Sequence, residues 1–251
     1  MEAMILAAGL GTRLGPLTDH QPKALVKVGG RPLLGWVMDS LARAGVHRII
    51  INLHHHEDQI RAYIRESAPP DLDFVFSLEP EEPLETGGGL FRAASLFQET
   101  GPFILHNADV LSSIRLAELV AGHREARGVI GESLVASLAV QRRPANRVLL
   151  FDDRGLMGWQ NRGNDRVPGG VRRVREPEGR VESWAFTGIH VIERSIFGLS
   201  QRTGRFSIVD LYLELATEGL VIRPADVTGD RWLDVGTPER LEEARATFGL
   251  G

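Results

Sequence analysis

The stretch LAAGLGTRLGPLTDHQPKAL, Leu6 to Leu25, constrains this chain more than any other. It follows directly on the apolar run Met4-Ile5-Leu6-Ala7-Ala8, which reads as a buried strand closing on a glycine. A glycine loop after a first strand has three common meanings, and spacing separates them. The dinucleotide fingerprint needs G-x-G-x-x-G, but after Gly9 and Gly11 the third glycine, Gly15, comes one residue late. The P-loop needs a lysine directly after its last glycine, and Lys23 follows Pro22 instead. Pro16 and Pro22 fix φ and remove amide donors, so a long loop rather than a helix is expected between them. Within it Gly9 and Gly11 allow backbone N–H groups to approach an anion closely. Arg13 adds a planar fork and Lys23 a point charge.

The remaining pattern frames this loop. Pro32 opens an apolar-periodic helix over Leu33–Ala44, stopped by Gly45, and RIIINL at Arg48–Leu53 is a continuous apolar strand. A helix around Glu57–Glu66, a strand at Leu72–Ser77, a helix near Gly87–Phe97 and a strand at Phe103–His106 follow. This alternation predicts an α/β, Rossmann-like doubly wound, mostly parallel sheet that binds ligands beyond its strand carboxyl ends. After Gly128 shorter strands at Leu134–Val140, Val148–Phe151 and Trp184–Ile192 predict a smaller β-rich lobe. Ser207–Glu218 reads as a helix, Arg231–Val235 as a late strand, and Thr237-Pro238 as the start of a final helix. One domain over residues 1–251 is expected: 1–128 mainly for nucleotide, 129–236 for the lobe, 237–251 for the last helix.

Composition narrows the chemistry. The net charge of −4 supplies no global basic field for nucleic acid, so an anionic ligand needs local cations. With no cysteine there is no disulfide framework, thiolate metal site or cysteine nucleophile. Glu2 and the early glycine deny the N-terminus a signal-peptide pattern, and no apolar run reaches bilayer length, so a cytoplasmic protein without membrane contact is expected. Asp109 follows the strand at Phe103–His106, and Asp234 shares a strand face with Trp232; either carboxylate suits magnesium, which takes oxygen ligands. Each alone is also an ordinary helix cap. His54-His55-His56 is read as the approach to a helix rather than a metal site, and FSIVDLYLELA, Phe206–Ala216, as core.

The whole opening string resembles the signature of the sugar-1-phosphate nucleotidyltransferases, written G-x-G-T-R, then P-L-T, then P-K, and fills it without gaps. "NAD" at Asn107–Asp109 and WLDVGTPE from Trp232 resemble the family's two aspartate stations, with Ala108 where glycine is commoner. The resemblance implies a magnesium-dependent enzyme in which a sugar 1-phosphate attacks the α-phosphorus of a nucleoside triphosphate and expels pyrophosphate. It assigns Arg13, Lys23, Asp109 and Asp234 to catalysis, with both aspartates on magnesium. Leu6, Ala7, Ala8, Gly9, Gly11, Thr12, Arg13, Lys23, Thr86 and Gly87 are then nucleotide contacts, and Asn107, Thr187, Gly188 and Trp232 sugar contacts. In EPEEPLETGGGL, Glu79–Leu90, the three glycines are expected to expose backbone donors at a helix start. The form Leu84-Glu85-Thr86 in place of the wider family's Leu-Gly-Thr resembles the N-acetylmuramate 1-phosphate uridylyltransferase branch and favours UTP.

The family's Glu-Lys-Pro sugar motif is not evident, Arg175-Glu176-Pro177 being nearest. Arg142, Arg143 and Arg147 around Pro144 read as a solvated hairpin face, with an acidic sugar substituent as the competing use. Two other functions are weighed. Choline-phosphate cytidylyltransferases share the N-terminal signature, but a quaternary ammonium wants an aromatic cage and Trp232 is the only evident wall. A silent nucleotide-sugar sensor is the second, opposed by the presence of all four catalytic residues. The lack of a C-terminal repeat region leaves a monomer or small homo-oligomer as the expectation.

Overall fold

The computed structural model describes residues 1–79, 82–162 and 170–248. The first half of the chain runs β1 (Glu2–Leu6), β2 (Lys27–Val28), β3 (Arg31–Pro32), α1 (Leu33–Arg43), β4 (Arg48–Leu53), α2 (Glu57–Ser67), β5 (Asp73–Leu78), α3 (Glu85–Arg92), β6 (Phe103–Asn107), β7 (Val110–Ser112) and α4 (Leu116–Ile130). The second half supplies β8 (Leu134–Gln141), β9 (Arg147–Asp152), β10 (Gly155–Asn161), β11 (Val171–Arg173), β12 (Glu182–Ile192), α5 (Ile208–Thr217), β13 (Val221–Asp226), β14 (Trp232–Asp234) and α6 (Pro238–Phe248). Among the described residues no helix is long and apolar enough to cross a membrane.

β1 lies between β4 and β6, parallel to both, and β5 continues the parallel set beyond β4. Strand alternation divides its side chains between the two faces of the sheet. Met4 joins the core beneath α3 and α5, while Ala3 and Ile5 join the core beneath α1, α2 and α4. The expected doubly wound α/β sheet is therefore present. In register, Leu6 sits beside Asn52 on one side and Asn107 on the other, so the chain leaves β1 between two polar strand ends.

β12 extends this sheet. Its C-terminal half pairs antiparallel with β6, and residues Glu182–Trp184 pair with β9, which continues into β10 and β11. β8 and β13 attach to β12 on a branch of the same ten-stranded sheet. The β-rich lobe is thus an extension of the parallel sheet through one shared strand.

Several boundaries differ from those read in the sequence, for local reasons. β1 starts at Glu2, not Met4, because the Glu2 carboxylate is buried and satisfied by the amides of Gln98 and Glu99 and by Arg48. It ends at Leu6 because the Ala7 amide donates to the Asn52 side chain, 2.7 Å away. The expected helix Gly87–Phe97 is α3 followed by a separate 3₁₀ turn at Ala94–Leu96. α4 went unread because one position on its buried face is His123, held by Ser137 and Glu193. β10, β11 and β13 were hidden by glycine, arginine and proline, which break the strand pattern. The expected last helix, 237–251, is seen from Pro238 to Phe248; residues 249–251 lie outside the described residues.

The three glycines of α3 do not present donors to a ligand, which corrects the expectation for them. The amides of Gly87 and Gly88 both donate to the Phe206 carbonyl. A Cβ at Gly87 would lie 2.4 Å from the Phe206 ring, one at Gly88 2.2 Å from the Gly204 carbonyl oxygen, and one at Gly89 2.6 Å from Glu79. The run lets the α3 backbone press against the Phe206 ring, the Gly204 carbonyl and the Glu79 carboxylate. Gly88→Ala is therefore expected to destabilise the fold by about 1–3 kcal/mol through overpacking, read as a lower urea midpoint.

A buried histidine ties β12 to α5. His190 Nδ1 lies 2.9 Å from the Tyr212 hydroxyl, and burial pushes His190 down to about 3 from its ordinary 6.5. The unfolded chain then takes up this proton first as pH falls. Stability is full above 6.5 and declines below it toward the folded value. His190→Gln is expected to flatten part of the loss of unfolding free energy between pH 7 and pH 5, measured by urea titration at both.

Candidate active site

The opening loop folds as two 3₁₀ turns, Thr12–Thr18 with a kink at Gly15 and Lys23–Leu25, so it avoids α-helix as the prolines require but is not irregular. Thr18 closes it, its hydroxyl donating to the carbonyls of Gly11 and Gly15. Gly11 has φ +68, and a Cβ there would meet Thr18 at 3.0 Å and Lys23 at 3.1 Å, so only glycine suits the position. Gly9 has open space where a side chain would stand. The loop, Asn52, Glu79, Thr86, Asn107 and Asp109 line a cleft of about 440 Å³, a volume typical of a small-ligand site.

Beneath this cleft lies a buried polar brace. Asn52, accepting from Ala7, donates through its other amide atom to Glu79, and Glu79 in turn accepts from the Leu84 amide. The brace ties the carboxyl ends of β4 and β5 to the loop and to the start of α3. Pro80 and Glu81 of the acidic stretch lie outside the described residues. Glu85 stands at φ +61, a left-handed conformation that non-glycine residues seldom adopt, and its carboxylate accepts from Arg205 at 2.9 Å. Thr86 also lines the cleft, with its hydroxyl accepting from the Ile208 amide.

The charges meet at the carboxyl end of β6. Lys23, largely buried, forms an ion pair with Asp109 Oδ2, which joins the loop to β6. Strand β14 brings the second aspartate: it pairs antiparallel with β7, setting Asp234 opposite Val110, and the Val235 amide donates to the Asp109 carbonyl at 2.8 Å. Asp109 and Asp234 line a second cleft, of about 540 Å³, together with Arg13, Asn107, Arg143, Trp232 and Arg240. Arg13 lines both clefts and has no hydrogen bond or ion pair among the described residues.

Asp109 and Asp234 are oxygen donors of the kind a divalent cation takes. Lys23 takes one oxygen of Asp109, and Arg240 lies 3.4 Å from one oxygen of Asp234, leaving one oxygen on each without a polar partner among the described residues. Among the described residues no group of three His, Asp or Glu side chains gathers there, so an ion would complete its shell from water and phosphate oxygens, as magnesium commonly does. Among the described residues no histidine lines either cleft. His106, just inside Asn107, is fully buried, and that burial pushes it down to about 4.

On the sugar-side expectation, Thr187 is buried and its hydroxyl donates to the Ala139 carbonyl, so it shapes the wall rather than offering a free donor. Gly188, at φ +80, makes room for the Asn107 side chain. Trp232 is fixed by an indole N–H donated to Thr187 at 2.8 Å, and the Arg143 guanidinium covers its ring at 3.7 Å. The three arginines of the hairpin separate. Arg142 stacks on Trp184 and Arg147 on Trp159 at the surface, whereas Arg143 lines the cleft, which corrects its reading as solvated. Arg175 grips Asp152 with both guanidinium nitrogens, at 2.5 and 2.6 Å, so Arg175-Glu176-Pro177 fastens the lobe rather than reaching toward a sugar.

Leu6, Ala7, Ala8, Gly9, Gly11, Thr12, Arg13, Lys23, Thr86, Asn107, Asp109, Thr187, Gly188, Trp232 and Asp234 all line one or both clefts. Gly87 does not; it is buried against Phe206. Asn52, Glu79, Glu85, Arg205 and Arg240 also line the clefts and are not among the residues singled out in the sequence as site residues, whereas Arg143 stands there as the competing use of the hairpin arginines. The signal for Asn52 and Glu79 was a polar residue at or just past the end of an apolar strand, on the ligand edge of the sheet.

A profile of the nucleotidyl transferase family matches residues 2–249. N-acetylmuramate α-1-phosphate uridylyltransferase of Neisseria meningitidis serogroup B is 34% identical over 257 aligned positions, covering 99% of each chain. The enzyme of the same name from Caulobacter vibrioides is 31% identical over 97% of this chain and 95% of its own. A mannose-1-phosphate guanylyltransferase of Mycobacterium tuberculosis is 26% identical over the whole of this chain and 65% of its own. In fold, UDP-glucose pyrophosphorylase complexed with UDP-glucose superposes with a TM-score of 0.74 at 16% identity, over 98% of this chain and 97% of the other. HddC of Yersinia pseudotuberculosis complexed with GMP-PN gives 0.73 at 24%, over 98% and 99%. A match along nearly the full length, to relatives of the same extent and to structures of the same architecture, leads to one conclusion: the chain belongs to the nucleotidyl transferase family.

Proposed function

We propose that the protein transfers a uridylyl group from UTP to a sugar 1-phosphate, N-acetylmuramate 1-phosphate being the favoured acceptor, and releases pyrophosphate. The observation that carries this reading is the meeting of Arg13, the Lys23–Asp109 pair and Asp234 at the junction of two clefts. One cleft is walled by the glycine loop and Thr86, as a nucleotide requires, and the other by the β12 turn and Trp232. Uridine is favoured because two whole-length relatives above 30% identity bear the uridylyltransferase name. UTP and sugar phosphates are cytoplasmic metabolites, so the proposal puts the protein in the cytoplasm.

The chemistry asks little proton transfer of the protein. A phosphate monoester has its second pKa near about 6, so the attacking oxygen is already ionised at neutral pH. It forms a bond to the α-phosphorus as the bond to the bridging oxygen of pyrophosphate breaks, and the leaving group departs as an anion. The barrier lies in bringing anions together in line, which charge and positioning lower. Arg13, without a hydrogen bond or ion pair among the described residues, would hold the triphosphate; Lys23 would meet the α-phosphate; the open side of Gly9 would give the phosphates room. Asp109 and Asp234 would hold magnesium, which when bound neutralises phosphoryl oxygens. Phosphocholine is disfavoured as acceptor, since of the two aromatic residues lining the second cleft, Phe186 and Trp232, the indole already carries a cation on its face.

The test is a pyrophosphate-release matrix of the four ribonucleoside triphosphates and dTTP against a panel of sugar 1-phosphates and phosphocholine. Magnesium-dependent release with UTP and N-acetylmuramate 1-phosphate is expected. GTP with mannose 1-phosphate as the best pair overturns the substrate assignment, and silence across the matrix identifies a sensor. Arg13→Ala is expected to remove about 3 kcal/mol of transition-state stabilisation, or roughly a hundredfold in kcat. A loss below about tenfold takes Arg13 out of this role. Asp109→Asn is expected to abolish turnover while circular dichroism stays that of the wild type; an active variant refutes the metal assignment.

A further inference from the structure

We infer that Arg143 selects the acceptor by pairing with a carboxylate on the sugar, so that the enzyme's substrate class is acidic sugar 1-phosphates. The inference rests on the sugar-nucleotide reading above and adds the residue that would impose the choice.

Three cations line the cleft beside Asp234, and two are accounted for. Arg240 pairs with Asp234, and Arg13 belongs to the glycine loop on the nucleotide side. Arg143 is left over. It comes from the turn between β8 and β9, half-buried, with its guanidinium flat on the Trp232 ring. Trp232 is itself pinned to Thr187, and one Nη of Arg143 donates to the Phe186 carbonyl at 3.1 Å, so the head is held in place before any ligand arrives.

Its hydrogen-bonding capacity is far from spent. Nε is buried without a partner, and Nη1 has only a 3.5 Å contact with the Pro144 carbonyl. A buried donor left unmade is costly, and a fixed guanidinium is matched in shape by a carboxylate. No protein carboxylate forms an ion pair with Arg143 among the described residues, although Asp234 and Arg240 both act on its charge. The acceptor's own phosphate has to lie by Arg13 and Asp109 to reach the α-phosphorus. Arg143, on the lobe side among Pro144, Phe186 and Gly188, faces the part of the acceptor remote from that phosphate.

The experiment compares two acceptors that differ only in a carboxylate-bearing substituent, N-acetylmuramate 1-phosphate and N-acetylglucosamine 1-phosphate, each with UTP. Pyrophosphate release is followed in the wild type, Arg143→Gln, Arg143→Lys and Arg142→Gln. The expected result is a wild-type preference for the acidic acceptor that collapses by about tenfold to a hundredfold in kcat/KM ratio in Arg143→Gln. The collapse should arise mainly in KM, with part of it recovered by Arg143→Lys and none of it seen in Arg142→Gln. Equal losses on both acceptors in Arg143→Gln assign it a merely structural or phosphate-holding role and overturn the inference. A wild type that uses both acceptors equally overturns it too, while leaving the nucleotidyltransferase reading in place. No release with any sugar 1-phosphate removes that reading, and this inference with it.

Discussion

The site is organised around the contact between Lys23 and Asp109, which pulls the end of the opening loop onto the end of β6. A lysine this shielded from water needs its countercharge, and a half-shielded aspartate gains from having one. Everything else in the site is arranged about that point. The loop between Gly9 and Lys23 is stretched over the top of β1, Arg13 projects from it unpaired, and Asp234 arrives beside Asp109 by way of the short β7–β14 ladder. Each aspartate is engaged by one cation, Asp109 by Lys23 and Asp234 by Arg240, so neither acid stands without a countercharge.

Much of this was readable in the residues. The apolar run before Gly9, the unbroken RIIINL strand and the alternation with periodic helices carry enough hydrophobic pattern to fix a parallel sheet and the edge at which ligands gather. The opening string located the loop and both of its cations. What pattern could not convey was pairing across the chain. Nothing near Lys23 in sequence announces Asp109, and nothing near Ala7 announces the Asn52–Glu79 brace.

The misreadings share a physical origin. Gly87, Gly88 and Gly89 suggested open backbone at a helix start, but their lack of side chains serves close packing against Phe206, Gly204 and Glu79. Glycine permits approach by a ligand or by the protein itself, and composition does not say which. Arg143 was grouped with Arg142 and Arg147 as a charged face; only the aromatic partners, Trp184, Trp159 and Trp232, assign each arginine its own place. The acidic start of β1 was passed over because Glu2 is a buried charge whose partners lie on a distant turn and on β4.

The sharing of β12 between β6 and β9 has a mechanical consequence. Two lobes joined by a linker can swing about it, but here a bend between the parallel sheet and the β-rich lobe would have to shear the backbone ladder of a shared strand. The two clefts are therefore held at one spacing by the shared strand, and Arg143, braced by Trp232 and the Phe186 carbonyl, is fixed to the lobe end of it.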